Sequence, residues 1–198
     1  LLSCDLSFAK HINRTCSKAR LRANMILKCF VSRDKSILYK AFVSYVRPIL
    51  EYCSNVWSPY RQKEIRKIEA VQRNFTKKLF GLSSISYAKR LKLLKAETLE
   101  IRRIKSDLCA YYKILHNMVE PRLSSMFAFR KCRTRSNGWN LNIKKFKTNM
   151  ERNSFCRRCL KIWNLLPSDA VAASKLSIFI TKLHKIDLNK IVLKAKTV

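Results

Sequence analysis

A chain of 198 residues in which 43 lysines and arginines stand against 12 acidic residues carries a formal net charge of +31. A hydrophobic share of 47% excludes a disordered polybasic tail, and only two glycines exclude a glycine-rich phosphate loop or a Rossmann fingerprint. Since so much like charge repels itself, the composition predicts a polyanionic partner, with nucleic acid the first candidate and an anionic membrane surface the second.

Hydrophobic periodicity predicts helices along most of the chain. Apolar residues at three- and four-residue steps predict a first helix from Phe8 to Phe30. A second helix is predicted from an N-cap at Asp34 to Trp57, with a kink at Pro48, because proline removes a backbone donor and clashes with the preceding turn. Charges interrupt this most apolar segment, which excludes a membrane span.

The third predicted helix separates its apolar and basic sides most clearly. It begins with the pair Ser58-Pro59 and ends at a C-terminal cap, Gly81. One arc of the helical wheel holds Ile65, Ile68, Val71, Phe75 and Leu79. The opposite side holds a basic stripe of Arg66, Arg73 and Lys77, flanked by Lys63, Lys67 and Lys78. The stripe predicts contacts with phosphates, and the alternative is a solvated helix face.

Two more helices are predicted before the chain loses its periodicity. A short one follows Ser86, and a longer one is capped by Thr98 and ends at Glu120-Pro121. The apolar side of the longer helix holds Ile101, Ile104, Leu108, Tyr111, Leu115 and Met118. Its polar side holds Arg102, Arg103, Lys105 and Lys113. Arg102 and Arg103 are added to the predicted nucleic-acid contacts.

Residues 119–150 have no clear period and predict an extended basic loop, with a short strand near 141–146. The loop adds four predicted nucleic-acid contacts, Arg130, Lys131, Arg133 and Arg135. Its aromatic residues can stack on unpaired bases or anchor the loop on the helices, and we favour anchoring. These residues are Phe127, Phe129, Trp139 and Phe146.

Helical periodicity returns at 154–167 and 174–186. The first of these segments contains a Cys-x-x-Cys motif, whose nearest further candidate ligands lie far along the chain. The four residues are Cys132, Cys156, Cys159 and His184. Since a structural zinc site needs four ligands at compact spacing, we interpret the cysteines as packing residues in a reducing, intracellular compartment. Together the elements predict an all-α fold, an irregular helical bundle with a basic linker and a small C-terminal helical cap.

Several short segments, in order along nearly the whole chain, together form a recognisable sequence pattern. They include Leu6-Ser7-Phe8, Val46-Arg47-Pro48-Ile49-Leu50-Glu51-Tyr52, Val56-Trp57-Ser58-Pro59, Ile68-Glu69-Ala70-Val71-Gln72-Arg73-Asn74-Phe75, Leu99-Glu100-Ile101-Arg102-Arg103 and Trp163-Asn164-Leu165-Leu166-Pro167. This pattern resembles the region after the palm in reverse transcriptases of LINE-type, jockey-like non-LTR retrotransposons. The loop at 121–150 matches least, and Cys156 and Cys159 stand where bulkier or basic residues are usual.

The resemblance implies the thumb-like region and C-terminal extension of an RNA-directed DNA polymerase. That family's catalysis uses adjacent palm aspartates that hold two metal ions, whereas no two of the aspartates here are adjacent. The resemblance therefore implies no catalytic residue, metal ligand or cofactor in this chain, and Mg²⁺ held by the parent enzyme. The implied partners are a template–primer duplex of RNA and DNA and the upstream palm and fingers, in the nucleus and not at a membrane.

The expected organisation is a post-palm connecting helix at 1–33, a thumb-like helical domain at 34–118, a basic linker at 119–150 and a C-terminal helical segment at 151–198. Because the chain begins with leucine, we expect a fragment of a longer protein. The alternative function is a stand-alone helical interaction module from a decayed element, without polymerase activity.

Overall fold

The computed structural model describes residues 8–130, 138–143 and 145–197, with side chains to residue 195. It divides into two compact units, of which the first ends at Arg103 and the second begins at Ile104. The described residues are helical almost throughout, with one isolated β-bridge between Phe129 and Leu141. The predicted all-α fold is therefore confirmed.

The first unit is a helical body in which the N-terminal helix is a full member. Its helices are α1 (Ala9–Cys29), α2 (Lys35–Tyr45), α3 (Arg47–Glu51), α4 (Ser54–Trp57), α5 (Gln62–Lys77), α6 (Tyr87–Leu93) and the start of α7 (Leu99–Leu115). Helix α1 packs against α2, α3 and α5 around one apolar core. The division into compact units falls inside α7, and the expected organisation into segments ending at 33 and 118 stays a prediction.

The core of the first unit confirms the predicted apolar faces. Every residue of the predicted apolar arc on α5 is buried, and so is Trp57. The rings of Phe42 and Phe75 stack with their centroids 4.6 Å apart, which joins α2 to α5. The predicted cap is also confirmed, because the Asp34 carboxylate accepts hydrogen bonds from the amides of Ser36 and Ile37 at 2.8 and 2.9 Å.

Proline acts differently from the prediction in the segment that follows. The predicted kinked helix is three helices, α2, α3 and α4, and Pro48 lies in the first turn of α3. A missing N–H costs nothing in a first turn, where the amides have no helical partner. The predicted start of the third helix at Ser58-Pro59 is wrong, since α5 begins at Gln62 after an extended Arg61.

Helix α5 also ends earlier than predicted, at Lys77. The amide of Lys78 donates to the carbonyl of Phe75 at 3.0 Å, which tightens the last turn. The chain then turns through Gly81, whose φ of +72° lies in the left-handed region, and both Leu79 and Leu82 enter the core. Gly81 therefore serves this turn and does not cap the helix directly.

The second unit consists of short helices around an aromatic core. Its elements are the rest of α7, a 3₁₀ helix at Pro121–Met126, α8 (Asn149–Arg152), α9 (Phe155–Arg158), α10 (Leu160–Asn164), α11 (Ser168–Val171), α12 (Leu176–Lys185) and α13 (Leu188–Thr197). Helix α12 confirms the predicted last segment, whereas α13 was not predicted. The strand predicted near 141–146 is wrong for the residues described there, because Leu141 forms only the isolated bridge.

A buried carboxylate connects α5, α6 and the start of α7. Glu69 is 7% exposed, and it accepts hydrogen bonds from the amide of Leu99 at 2.9 Å and from the hydroxyl of Tyr87. The side chain of Gln72 donates to the Tyr87 oxygen and to the carbonyl of Glu97, both at 3.0 Å. Burial is the main cause that raises the pKa of Glu69, and burial also raises the pKa of Tyr87. One side chain thus satisfies the first amide of α7 and fixes α6.

We expect Glu69→Ala to lower the free energy of unfolding by about 2–3 kcal/mol, because the Leu99 amide and the Tyr87 hydroxyl lose a buried acceptor. Urea unfolding followed by circular dichroism measures the change. The control is Glu64→Ala in the first turn of the same helix, where the carboxylate is half-buried. Equal losses for the two variants would contradict the role assigned to Glu69.

The raised pKa of Glu69 also predicts a pH dependence. Because its folded-state pKa lies above the ordinary value of 4.5, folding favours the protonated carboxyl. The resulting stability is complete below that ordinary value and is lost as the pH rises through the raised pKa. Glu69→Gln does not titrate, so the stability of the unaltered chain relative to this variant should fall as the pH rises from the ordinary value of 4.5 through the raised pKa. A stability difference that does not change with pH would refute the prediction.

Candidate nucleic-acid interface

Helices α1 and α5 lie side by side and run in the same direction. The Lys67 ammonium donates to the Asn13 side-chain oxygen, and the Lys78 ammonium donates to the Asn24 side-chain oxygen at 3.4 Å. From the first contact to the second, each helix advances by eleven residues, which is about three turns. Equal steps in the same direction require a parallel pair in register.

This parallel pair of helices carries two sets of cations, and we call the two sets together the α1–α5 basic surface. It consists of the cations Lys10, Arg14, Lys18, Arg20, Arg22, Lys28, Lys63, Arg66, Lys67, Arg73, Lys77 and Lys78, all of them exposed except the half-buried Lys67. Helix α1 contains no acidic residue, and α5 contains the half-buried Glu64 and the buried Glu69. The surface of the two helices is therefore almost free of negative charge.

The six predicted cations, five in α5 and Lys78 directly after it, occupy different parts of this surface. Lys67 and Lys78 lie at the border with α1 through their contacts with asparagines. Arg73 lies at the border with α6, where its guanidinium is 5.0 Å from the centre of the Tyr87 ring. The remaining predicted cations of the helix, Lys63, Arg66 and Lys77, are exposed. The predicted stripe is thus exposed along its length.

Two predicted contacts, Arg102 and Arg103, lie against other parts of the first unit. Arg102 bonds to Glu51 through two nitrogens, one of them at 3.0 Å, and this pairing raises its pKa. Arg103 is only 2% exposed. Both residues stand on a helix side that the sequence marks as polar, but a polar side can face another element as well as solvent. They are therefore left out of the α1–α5 basic surface, and their contact with nucleic acid stays a prediction.

The predicted contacts of the loop belong to the second unit. Arg130 is exposed, and its amide donates to the carbonyl of Asn140 at 2.8 Å, next to the isolated bridge. Lys131, Arg133 and Arg135 lie outside the described residues. The loop therefore adds one described cation to the candidate contacts.

The loop aromatics confirm the anchoring interpretation at two positions. The ring of Phe127 is buried against Tyr111, with centroids 4.7 Å apart. Trp139 stacks on His116 at 4.1 Å, with an angle of 13° between the ring planes. Phe129 is 46% exposed at 6.2 Å from Trp139. Phe146, also within the second unit, is half-buried with the guanidinium of Arg157 at 6.0 Å from its ring centre.

An ion pair joins α7 to α9 in the second unit and lies beside the Cys-x-x-Cys motif. The Asp107 carboxylate accepts hydrogen bonds from two Arg158 nitrogens at 2.7 Å, and the Cys159 sulfur lies 3.7 Å from the same carboxylate. Cys159 is buried, and burial raises the pKa of its thiol. Cys156 lies 3.8 Å from the sulfur of Met126. Both cysteines thus have protein neighbours that account for their positions.

Neither a metal cluster nor a membrane span occurs in the part of the chain that the structure describes. No group of three or more histidine, cysteine, aspartate or glutamate residues there is placed to hold a metal ion. His184 lies beside Lys105, with 3.1 Å between the two nitrogens, and Cys132 falls outside the described residues. No helix within 8–130, 138–143 and 145–197 is long and apolar enough to cross a membrane.

The chain is similar to a curated protein of a nematode. No family model and no solved structure match it. The matched protein is "Uncharacterized protein B0403.1" of Caenorhabditis elegans, which is 28% identical over 117 residues, covering 58% of this chain. The chain spans 59% of that protein's length. The name of this relative states no activity, so the functional inference depends on the residues themselves.

The cations of α1 were not predicted as contacts, although the sequence carries a signal for them. No acidic residue occurs between Leu6 and Arg33, which is one of the three longest acid-free intervals in the chain. The parallel packing brings this interval beside the helix that carries the predicted stripe. That packing depends on which apolar faces meet, which the pattern of a single helix does not contain.

We expect Asp107→Ala to destabilise the second unit by about 3–5 kcal/mol, because it leaves the nearly buried Arg158 guanidinium without its carboxylate. Asp169→Ala is the control, since it removes an ion pair with Lys182 in which the aspartate is 69% exposed, and we expect a loss of under about 1 kcal/mol. Thermal and urea unfolding measure both. Similar losses in the free energy of unfolding for the two variants would show that burial does not make the first ion pair more stabilising than the second.

Proposed function

We propose that this chain is the nucleic-acid-binding C-terminal region of a reverse transcriptase, similar to those of LINE-type non-LTR retrotransposons. In this proposal it grips the template–primer duplex of RNA and DNA, while a palm outside the chain carries out the polymerisation. A nuclear location belongs to the same proposal. The observation that carries it is the α1–α5 basic surface, where two parallel helices present twelve cations and almost no acid.

A surface of this kind has an electrostatic cost. Cations crowded on two adjacent helices repel each other, and a polyanion removes that repulsion while releasing its own bound counterions. Contacts with phosphates supply affinity and register without reading the sequence, which suits a polymerase that must advance along any template. Lysines and arginines on rigid helices also hold their spacing, so successive contacts act together.

The acidic residues of the described chain do not suit the magnesium ions that the parent enzyme needs. Glu51 pairs with Arg102, Glu69 is buried beneath Tyr87, and Asp107 pairs with Arg158. These side chains are separated and occupied, whereas two-metal catalysis needs carboxylates that converge on one site. The chemistry is therefore proposed to reside in palm residues, with this chain positioning the duplex.

The test is the salt dependence of binding to a blunt RNA–DNA hybrid duplex, measured by fluorescence anisotropy. If about six phosphates are neutralised, affinity should fall roughly a thousandfold between about 50 and 200 mM salt. The combined variant Lys67→Gln, Lys77→Gln and Lys78→Gln should weaken binding and lower the salt slope by about 0.9 for each phosphate that the variant no longer neutralises.

The matched control removes the same charge elsewhere on the first unit. The exposed residues Lys35, Lys40 and Lys92 lie on α2 and α6, and their replacement by glutamine should leave the slope nearly unchanged. Equal effects of the two triple variants would mean that net charge acts without a defined surface. Absence of binding at low salt, or binding insensitive to salt, would reject the proposal and favour the stand-alone interaction module.

A further inference from the structure

A small cleft opens between α1 and α5 at their C-terminal halves. Its rim is formed by Arg20 and Asn24 from one helix and by Asn74 and Lys78 from the other side. Lys78 and Asn24 are the pair already joined across the two helices at 3.4 Å, so this bond marks one edge of the cleft. The cleft is thus a defined place within the larger α1–α5 basic surface.

The floor of the cleft is apolar, in contrast to its rim. It is lined by Ala23 and Leu27 of α1 and by Val71 and Phe75 of α5. Small side chains on α1 allow this opening, because a larger residue at Ala23 would fill the space. Contact between an apolar floor and a phosphate group does not favour binding, because the phosphate would lose its hydration. Burial of an apolar ring against the floor does favour binding, and the polar edges of such a ligand can meet the polar rim.

The volume of the cleft sets the size of that ligand. It is about 140 Å³, which is close to the roughly 150 Å³ of an apolar protein cavity that binds one benzene molecule. The cleft therefore has room for about one aromatic ring, such as that of a single nucleobase. A duplex cannot enter a gap between packed helices, and a paired base has its hydrogen-bonding edge occupied.

We propose that this cleft receives one unpaired nucleobase of a single strand that leaves the duplex. The side-chain amides of Asn24 and Asn74 can both donate to and accept from a base edge. Arg20 and Lys78 stand at the same rim and can contact the phosphate next to that base. The apolar floor removes the ring from water, as in other proteins that splay out single bases.

This inference rests on the proposed function, because it assigns a base-sized site within the same basic surface. It also goes beyond a grip on phosphates, since it predicts that an unpaired end binds better than a blunt one. A strand held in this way has a fixed position relative to the duplex. The cleft would then mark where pairing stops.

The experiment compares a blunt RNA–DNA duplex with the same duplex carrying a single overhanging 2-aminopurine nucleotide. We expect the overhang to raise the affinity about tenfold, and binding to change the fluorescence of the aminopurine. Asn24→Ala should abolish most of this gain while it leaves the salt slope on the blunt duplex unchanged. Asn74→Leu, which places an apolar side chain at the rim, should act in the same direction.

The matched control is Asn13→Ala. Asn13 contacts Lys67 across the same helix pair, as Asn24 contacts Lys78, but it does not line the cleft. This variant should keep the full gain from the overhang. Circular dichroism of all three variants establishes that each is folded before binding is compared.

Several outcomes would overturn the inference without affecting the proposed function. Equal affinity for blunt and overhanging duplexes is one, and equal effects of Asn24→Ala and Asn13→Ala are another. Inorganic phosphate that displaces the overhang as well as a mononucleotide does would indicate a phosphate site with no seat for a base. In each case the steep salt dependence on the blunt duplex would persist, whereas its absence would reject the proposed function itself.

Discussion

The packing of α1 against α5 is the contact on which the first unit depends. Helix α1 meets its neighbours with small residues, Cys16, Ala19 and Ala23, which let the backbones approach closely. Burial of this apolar seam holds together two helices whose outer sides repel each other. The opposing effects are separated in space, since the attraction lies inside and the repulsion faces water, where salt and counterions screen it.

Much of this fold follows from the order of residues, because its helices obey local rules. The cap at Asp34 and the apolar arc of α5 need information only from residues within a few turns, and both agree with the structure. The boundaries near Pro59 and Gly81 differ because the core decides where the chain must turn inward. Leu79 and Leu82 enter that core, and the helix ends early to allow it.

The sequence predicts that a basic helix face exists, but it does not predict all the residues that belong to the candidate interface. Exposed cations on α5 follow from helical periodicity, whereas the contribution of α1 requires knowledge of which helices pair. Arg102 and Arg103 illustrate the opposite case. A helical wheel assigns them to the polar side, but Glu51 lies about fifty positions away in sequence and only its place in the fold brings it to Arg102. Long-range partners of this kind are not visible in local patterns.

The acidic residues that hold this molecule together have a further consequence. Asp34 caps a helix, Glu69 secures the start of another, and Asp107 anchors an arginine inside the second unit. These three negative charges therefore serve the architecture, and the abundant positive charges on the surface determine the electrostatic field. The stability of the fold and the electrostatic field at the surface therefore depend on different residues. Single substitutions of surface cations can change the field without loss of the fold.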